Sequence, residues 1–365
     1  MKKFLSLMLC LIMTVLMFVS CADNEIGSYK ENYPPIDNTI PDVKLNMYVI
    51  VEPGTAENAK TTVSRMFAQE TLSKYHTEVT LCYLTADEYK TKALAAVNAT
   101  DSTAANIVLI TDKEFFNSLL DTKKLADLTT YLDTDFGKLY KQITEPLLDA
   151  TKVDGKYYAI PNNHVVGEYE YLVINKEAAR AAFYDNTDAE FFATLNSYEA
   201  TEQLRADMVT LGGYTKAQVK KLVRVEKGNF EDKAKFESEG NFCNVIKYPE
   251  ADADEAFSSA FAVISRDELS DKRAMQIIYE INYNAQLRNL LQYGVSGTNY
   301  TLDKDGFVIR DKSEDNKYFM NILYTGDIFK ALYCEEIGWT PEVAENGVKQ
   351  NNESVFNSAP TTPAE

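Results

Sequence analysis

Short apolar runs alternate with amphipathic stretches through the first third of the chain, and this alternation constrains the fold more than any other feature. Three of the runs predict β-strands, namely Met47–Val51, Val79–Leu84 and Ile107–Ile110. The stretches between them carry apolar residues at the three- and four-residue spacing of a helical face. The third run is apolar throughout, as a parallel strand buried on both faces requires. The order strand, helix, strand, helix, strand predicts an α/β fold with a doubly wound parallel sheet and right-handed crossovers.

Both intervening helices have a recognisable buried face. The residues of the two predicted faces are Ala59, Val63, Met66 and Phe67 in the first helix, and Tyr89, Ala93 and Val97 in the second. Thr85 is followed three positions later by Glu88, the pattern of a capping box. The second helix is therefore expected to begin directly after the second strand.

Two short loops follow predicted strands at their carboxyl ends, where an open α/β sheet binds its ligands. The first runs from Glu52 to Thr55, and the second contains Asp112. We expect Glu52, Thr55 and Asp112 to contact a ligand. Each of them also suits an ordinary turn or helix cap, so that alternative stays open.

The pattern changes after residue 150. An Asp-Gly pair at 154–155 lies between apolar residues and predicts a β-hairpin. Tyr169–Asn175 predicts the next strand, and a charged helical stretch over 176–235 follows it. This change predicts passage into a second lobe, with a return near 257–264 and a long helical section over 271–293.

Two lobes are also expected from size, because about 310 residues exceed what one hydrophobic core organises. Flanking segments rich in polar residues and proline predict a tether and a disordered tail. The predicted division is a signal peptide at 1–20, a lipidated N-terminus and flexible tether at 21–43, a first α/β lobe at 44–165, a second lobe at 166–256, returning strands and helices at 257–355, and a tail at 356–365.

The N-terminus carries an export signal. Two lysines precede a mostly apolar run, Phe4–Val19, which is shorter than the roughly 20 residues of a membrane span and ends at Ser20-Cys21. A small residue before a cysteine resembles a bacterial lipobox, although Phe18 replaces the usual leucine. We expect Cys21 to be lipidated and to anchor the protein on the extracytoplasmic face of the cell membrane. An uncleaved anchor and ordinary secretion are the alternatives.

Charge and cysteine content exclude two classes of function. Loss of Lys2 and Lys3 with the signal changes the net charge from −18 to −20, so a nucleic-acid partner is not expected. After removal of the signal and lipidation of Cys21, the cysteines are Cys82, Cys243 and Cys334. Their wide spacing predicts no zinc site, and we expect three buried small hydrophobic residues.

Several segments together resemble the extracellular solute-binding proteins of family 1, the receptors of sugar-type ABC importers. The segments are Val153–Pro161, Tyr171–Lys176, Phe261–Ser265, Lys272–Met275 and Asn289–Tyr300. In that family an Asp-Gly hairpin precedes the strand that crosses between lobes, and that strand ends in Asn-Lys. The resemblance spans roughly residues 44 to 355. It implies a two-lobe periplasmic-binding-protein-like fold of type II, each lobe a sheet flanked by helices, with crossing strands at a hinge.

A sugar site needs aromatic faces together with amide or carboxylate groups that converge on a cleft. The residues that flank the inferred hinge are predicted to contact the ligand, together with the only tryptophan. These candidates are Tyr158, Asn162, Asn163, His164, Tyr169 and Trp339. A packing or hydrogen-bonding role is the alternative for each of them, and is favoured for His164 over catalysis.

Other local patterns predict no chemistry. Asp303-Lys304-Asp305-Gly306 lacks the remaining ligands of a calcium loop and predicts a turn. The acidic cluster over 252–255 predicts a helix start rather than a cation site. No metal, cofactor or catalytic residue is therefore expected.

The sequence favours a monomeric solute-binding lipoprotein that captures a small solute, expected to be a mono- or oligosaccharide, and delivers it to ABC permease subunits. Ligand binding would stabilise the closed form that the importer recognises. A lipid-anchored enzyme acting on carbohydrate is an alternative, although 294–297 lacks the second glycine of a nucleophile elbow and no His-Glu-x-x-His helix is present. A ligand-sensing module is a third possibility.

Overall fold

A computed structural model describes residues 41–137, 145–183 and 189–357. The predicted signal peptide, Cys21 and most of the predicted tether and tail lie outside these ranges. Among the described residues, no helix is both long enough and apolar enough to cross a bilayer.

A five-stranded sheet is built mainly from the first part of the chain, with one strand from a later part. Its strands are β1 (Val43–Ile50), β2 (Thr77–Leu84), β3 (Ile107–Ile110), β6 (Ile160–Pro161) and β11 (Ala260–Val263), in the order β2-β1-β3-β11-β6. β1 pairs in parallel with β2 and β3, which confirms the three predicted strands. The sheet is nevertheless mixed, because β11 runs antiparallel to both β3 and β6. β11 runs in the opposite direction because the chain re-enters the sheet at the edge where the parallel strands end.

Three helices cover this sheet, namely α1 (Glu57–Tyr75), α2 (Ala86–Asn98) and α3 (Lys113–Asp121). The capping box of Thr85 and Glu88 at the start of α2 is confirmed. The predicted buried faces are also confirmed, except that Met66 is only half-buried and Thr71 and Tyr75 extend the face of α1.

α1 also protects the edge of the sheet. β2 is an edge strand, and two of its backbone N–H groups donate to side chains of α1: Val79 N to Thr71 Oγ1 at 3.4 Å and Leu81 N to Ser64 Oγ at 3.3 Å. These hydroxyl groups occupy donors that an edge strand otherwise leaves free.

Short elements lead from this sheet to the next. They are α4 (Thr129–Asp133), α5 (Glu145–Asp149), β4 (Lys152–Val153) and β5 (Lys156–Tyr157). β4 and β5 form the predicted hairpin. Its turn residues Asp154 and Gly155 have φ of 52° and 79°, the left-handed values that a tight hairpin turn requires.

A second sheet has three antiparallel strands, with β7 (Tyr169–Asn175) between β8 (Val223–Gly228) and β9 (Asn241–Lys247). One face packs an aliphatic cluster that includes Leu172 and Ile174, and the other packs Tyr169 and Tyr171. The associated helices are α6 (Lys176–Phe183), α7 (Ala189–Ala193), α8 (Tyr198–Thr210), α9 (Lys216–Leu222) and α10 (Asp232–Ser238).

The prediction of an uninterrupted helical stretch over 176–235 is wrong, because β8 interrupts it. Val223-Arg224-Val225-Glu226 alternates apolar and charged residues, the period of a strand with one buried face. Val223 and Val225 pair with Ile174 and Leu172 of β7.

The remaining chain returns to the five-stranded sheet through β11 and then continues through further helices and short strands to residue 357. Its elements are β10 (Glu250–Asp252), a 3-10 helix at Ala253–Phe257, β11, α11 (Glu268–Tyr283), α12 (Ala285–Tyr293), the hairpin of β12 (Tyr300–Leu302) and β13 (Val308–Arg310), 3-10 turns at Ile322–Thr325, Ile328–Lys330 and Glu335–Ile337, α13 (Pro341–Glu353) and β14 (Val355–Asn357). The section predicted as helical over 271–293 is two helices, because the Asn284 side chain caps α12. The turn predicted near Asp303 joins β12 to β13.

All three cysteines in the described ranges are free thiols. Cys243 and Cys334 are buried as expected, whereas Cys82 is only half-buried on the edge strand β2.

A buried guanidinium joins α12 to the irregular segment that follows β13. Arg288 is fully buried, and burial lowers its pKa to about 10. Its Nε donates to Asp327 O and its Nη2 to Ile322 O, both at 3.0 Å, while Nη1 donates to the Asn289 and Gln292 side chains. One side chain thus fixes both ends of segment 322–327.

We expect Arg288→Met to lower the free energy of unfolding by at least about 3 kcal/mol, because two carbonyl groups and two side-chain amides lose their buried donor. Urea denaturation measures this change. The control is Arg180→Met, at an exposed position of α6, which should stay within about 0.5 kcal/mol of the unaltered protein. Equal losses in the two variants would contradict the role of Arg288.

Candidate functional site

The carboxyl edge of the five-stranded sheet begins with the turn after β1. Glu52 O accepts hydrogen bonds from Thr55 N at 3.2 Å and from Thr55 Oγ1 at 2.7 Å. Glu52 N donates to Phe319 O at 3.2 Å. The turn is therefore closed internally and attached to the late part of the chain, which leaves the half-buried Glu52 carboxylate available to other groups.

The loop after β3 adds a second carboxylate. Asp112 caps α3, with its Oδ1 accepting from Phe115 N at 2.9 Å, and forms an ion pair with Lys90 of α2. Partial burial acts to raise the pKa of Asp112, but the bonds from Lys90 and Phe115 outweigh it and hold that pKa below its usual value. The group is an anion at neutral pH.

Tyr324 is a further polar residue in this region, and the sequence analysis did not identify it. Burial raises the pKa of its phenol, and the nearby charges of Asp112 and Glu52 raise it further. The phenol is therefore near enough to both carboxylates and to Lys90 for their charges to affect its pKa. We call Glu52, Thr55, Lys90, Asp112 and Tyr324 the carboxyl-edge cluster.

A cavity of about 480 Å³ adjoins the turn after β1. Its lining includes Glu52 and Thr55, and also Arg310, whose guanidinium lies 4.2 Å from the centre of the Phe319 ring. Arg310 forms a bidentate ion pair with Glu336, and this bond lowers the pKa of Glu336 to about 2. This cavity is therefore lined by an aromatic ring and by charged side chains as well as by Glu52 and Thr55.

A larger cavity, of about 690 Å³, lies where the chain passes between the two sheets. Glu170 of β7 is paired across the second sheet with Lys227 of β8 and Lys247 of β9, and all three line this space. Tyr198 donates its hydroxyl hydrogen to the Glu170 carboxylate. We call this space the crossing cavity.

Tyr198 lies beside the crossing cavity, because its hydroxyl is bonded to the Glu170 that lines it, whereas the Tyr248 ring packs against Tyr169. Tyr198 is 45% exposed and Tyr248 is 56% exposed. Planar rings beside carboxylates and ammonium groups supply both stacking surface and hydrogen bonds for a polyhydroxylated ligand.

An ion pair connects the two regions. Lys113, next to Asp112, pairs with Asp254, which is next to the Glu255 that lines the crossing cavity. The carboxyl-edge cluster and the crossing cavity therefore lie on adjoining surfaces.

The candidates at the start of the inferred hinge are held by internal bonds. Asn162 is fully buried, and its Nδ2 donates to Ser259 Oγ at 2.8 Å and to Leu323 O at 3.0 Å. Asn163 is half-buried, and its Nδ2 lies 3.4 Å from Asp327 Oδ1.

His164 is also buried, with its Nδ1 2.7 Å from Asn162 O and its Nε2 3.4 Å from Ser258 Oγ. Burial lowers the pKa of its imidazole, against a smaller opposing effect of the bond to Asn162 O and of the charge of Glu255.

The last three candidates differ in exposure. Tyr169 is buried between the second sheet and α13, with its hydroxyl 2.6 Å from Glu353 Oε2. Trp339 is buried in an apolar cluster with Ile328 and Ala331. Tyr158 is half-buried after β5. Ligand contact by Tyr158, Asn162, Asn163, His164, Tyr169 and Trp339 stays a prediction.

No metal centre is present in the part of the chain that the structure describes: no group of three or more His, Cys, Asp and Glu side chains there is arranged to hold an ion. Asp252 and Glu255 instead form a capping box at the start of the 3-10 helix.

The fold is that of the extracellular solute-binding proteins of ABC transporters. A solved structure of the N-glycan transport solute binding protein NgtS from Streptococcus pneumoniae matches with a TM-score of 0.57 and 16% identity, covering 88% of this chain and 84% of that one. NgtS in complex with Man5GlcNAc matches with a TM-score of 0.54 and 16% identity, covering 87% and 84%.

A third solved structure is an HMO-binding, ABC-transporter-associated solute-binding protein from Bifidobacterium longum infantis, with a TM-score of 0.46, 11% identity, and 86% and 82% coverage. These matches are to binding proteins rather than enzymes. No protein-family model and no curated protein matches the sequence.

We expect stability to fall as the pH is lowered from 7 to 5, in part through His164. Since its folded pKa lies below the unfolded value of about 6.5, the unfolded chain binds more protons in this range and is favoured by acid. His164→Gln should therefore show a smaller fall in the free energy of unfolding, measured by denaturant titration at each pH. The matched control His76→Gln keeps the imidazole of His164 and should therefore keep the part of the fall that His164 causes.

Proposed function

We propose that this protein is an extracytoplasmic lipoprotein that captures an oligosaccharide and delivers it to an ABC importer. The observation that carries the proposal is the carboxyl-edge cluster, which lies where an α/β sheet binds its ligands. It combines two carboxylates, an ammonium group and a phenol on the fold of solute-binding proteins.

The chemistry of both regions suits a sugar. Hydroxyl groups need acceptors and donors in fixed positions, which Glu52, Asp112 and Lys90 supply. Sugar rings need flat apolar surfaces, which Tyr324 and the exposed ring of Tyr198 supply. Capture requires binding and closure but no covalent step.

The oligosaccharide class is supported by the structural neighbours, one of which was solved with Man5GlcNAc. The ligand would lie against the carboxyl-edge cluster and extend into the crossing cavity. Closure of the two sheets over it would create the surface that permease subunits recognise.

We expect the full-length protein, purified in detergent, to bind at least one of Man1GlcNAc, Man5GlcNAc or a neutral milk oligosaccharide in isothermal titration calorimetry. Asp112→Asn and Tyr324→Phe should each weaken binding by about tenfold, the effect of losing one well-placed polar contact. The control Asp87→Asn alters an exposed acid at the start of α2 and should bind normally. Absence of binding across sugars, peptides, polyols and polyamines would overturn the proposal.

Anchoring is tested separately. Cys21→Ser should abolish lipidation, so that the protein loses the acyl groups detected by intact-mass spectrometry and is no longer processed at residue 20. Cys82→Ser, at a half-buried thiol, is the control and should be lipidated normally. Detection of the same acyl groups on both variants would rule out Cys21 as the lipidated residue.

A further inference from the structure

The cavity of about 480 Å³ beside the turn after β1 adjoins the carboxyl-edge cluster, with which it shares Glu52 and Thr55. We call it the turn cavity. Its volume lies in the range of small-molecule sites. Its charged lining consists of three basic and three acidic side chains, namely Arg310, Lys312, Lys317, Glu52, Asp311 and Glu336. The partners of these side chains decide which charges are available to a ligand.

Two of the three acids are already bonded within the protein. Glu336 Oε2 accepts from Arg310 Nε at 2.9 Å, and Glu336 Oε1 accepts from Arg310 Nη2 and lies 3.0 Å from Lys312 Nζ. Asp311 Oδ1 accepts from the backbone N of Ser313 at 2.7 Å. These two carboxylates therefore offer few acceptors to a ligand, and they occupy Arg310 and Lys312.

Lys317 is a cation that remains available. In the described part of the chain, no carboxylate forms an ion pair with its Nζ. Its backbone is fixed to the turn, because Ala56 N donates to Lys317 O at 2.9 Å and Glu52 N donates to Phe319 O at 3.2 Å. Its ammonium lies over Gly54, where an added Cβ would be 3.1 Å from Lys317 Nζ. An unpaired ammonium is thus held beside the turn.

Glu52 supplies the opposite charge in the same space. Its carboxylate is half-buried and makes no ion pair with Lys317, although both side chains line the turn cavity. A ligand that carries both a carboxylate and hydroxyl groups can satisfy the two at once. Its carboxylate would accept a charge-assisted hydrogen bond from Lys317, and a hydroxyl group would donate to Glu52. Acidic sugar residues have both kinds of group.

The charge of the surroundings favours this cavity over the crossing cavity for an acidic group. The whole chain has a net charge of −18, so most of its surface repels anions. The crossing cavity follows that excess, since five acidic side chains and only two lysines line it. The turn cavity instead has equal numbers of basic and acidic side chains. An acidic sugar residue is therefore repelled least in the turn cavity.

We propose that the turn cavity is a subsite for an acidic sugar residue, whose carboxylate binds Lys317 and whose hydroxyl groups bind Glu52. The inference rests on the proposed function, because the rest of the oligosaccharide would lie against the carboxyl-edge cluster. It narrows the ligand class to carboxylated oligosaccharides. It also makes Lys317 a specificity-determining residue, which selects between acidic and neutral sugars.

The test is isothermal titration calorimetry of the full-length protein, purified in detergent, with two matched pairs of sugars. The pairs are sialyllactose with lactose, and digalacturonic acid with its methyl ester. The acidic member of at least one pair should bind on the order of tenfold more tightly than its neutral counterpart, the gain from one charge-assisted hydrogen bond. Added salt should weaken binding of the acidic member more than binding of the neutral one.

Three variants locate the effect. Lys317→Met should remove the difference within the pair without weakening the neutral sugar, and Lys317→Arg should keep the difference because it keeps the charge. The matched control Lys304→Met alters an exposed lysine between β12 and β13 and should behave as the unaltered protein does. Thermal melting of each variant checks that it is folded.

The failures of the two proposals are distinguishable. Equal affinities within both pairs, or a difference that survives in Lys317→Met, would overturn the subsite while leaving the capture of a neutral oligosaccharide intact. Binding of neutral sugars with no binding of either acidic sugar would do the same. Absence of binding by every sugar, neutral and acidic, would overturn the proposed function and the subsite with it.

Discussion

The buried guanidinium of Arg288 is the interaction on which the candidate site depends. It is completely enclosed, and a charge in that position is tolerated only because carbonyl and amide oxygens surround it. The carbonyls that it binds bracket segment 322–327, which has little regular structure of its own. That segment carries Tyr324 to the carboxyl edge of the sheet, and its Leu323 carbonyl accepts from Asn162. One cation inside the protein thus positions both Tyr324 and the start of the connection between β6 and β7.

The site is assembled from parts of the chain that are far apart in sequence. The turn after β1, the start of α3 and the 3-10 turn at Ile322–Thr325 meet at one edge because three parallel strands end there. Asp112 is held there by Phe115 N and by Lys90, and Thr55 by the Glu52 carbonyl. Side chains held by such bonds would lose less conformational entropy if a ligand bound to them.

Local patterns made the first sheet predictable from sequence. β1, β2 and β3 are apolar runs separated by helices with clear buried faces, and the Thr85 capping box marks a helix start within four residues. The same reasoning located the loops of Glu52, Thr55 and Asp112 at the carboxyl ends of β1 and β3, and their contact with a ligand stays a prediction. The hairpin at Asp154-Gly155 followed from turn chemistry alone.

Non-local features were not predictable in this way. β8 is short, and its four-residue alternation of apolar and charged side chains is too brief to stand out within a charged helical stretch, whereas its pairing with β7 is unambiguous. The insertion of β11 between β3 and β6 depends on a return of the chain that no local pattern records. Tyr324 follows no motif, and it joins the carboxyl-edge cluster only because Arg288, on a different helix, anchors the segment around it. The Gln350 side chain likewise meets Gly167 O and Phe230 N only in the tertiary fold.

The hydroxyl groups of Ser64 and Thr71 have an implication for many copies of this chain held side by side. A row of free N–H groups on a flat sheet margin invites intermolecular strand addition, and crowding on a surface would favour it. Here part of that margin is already occupied from within the same molecule. Neighbouring molecules therefore find fewer main-chain partners along this edge, even where copies of the chain are crowded together.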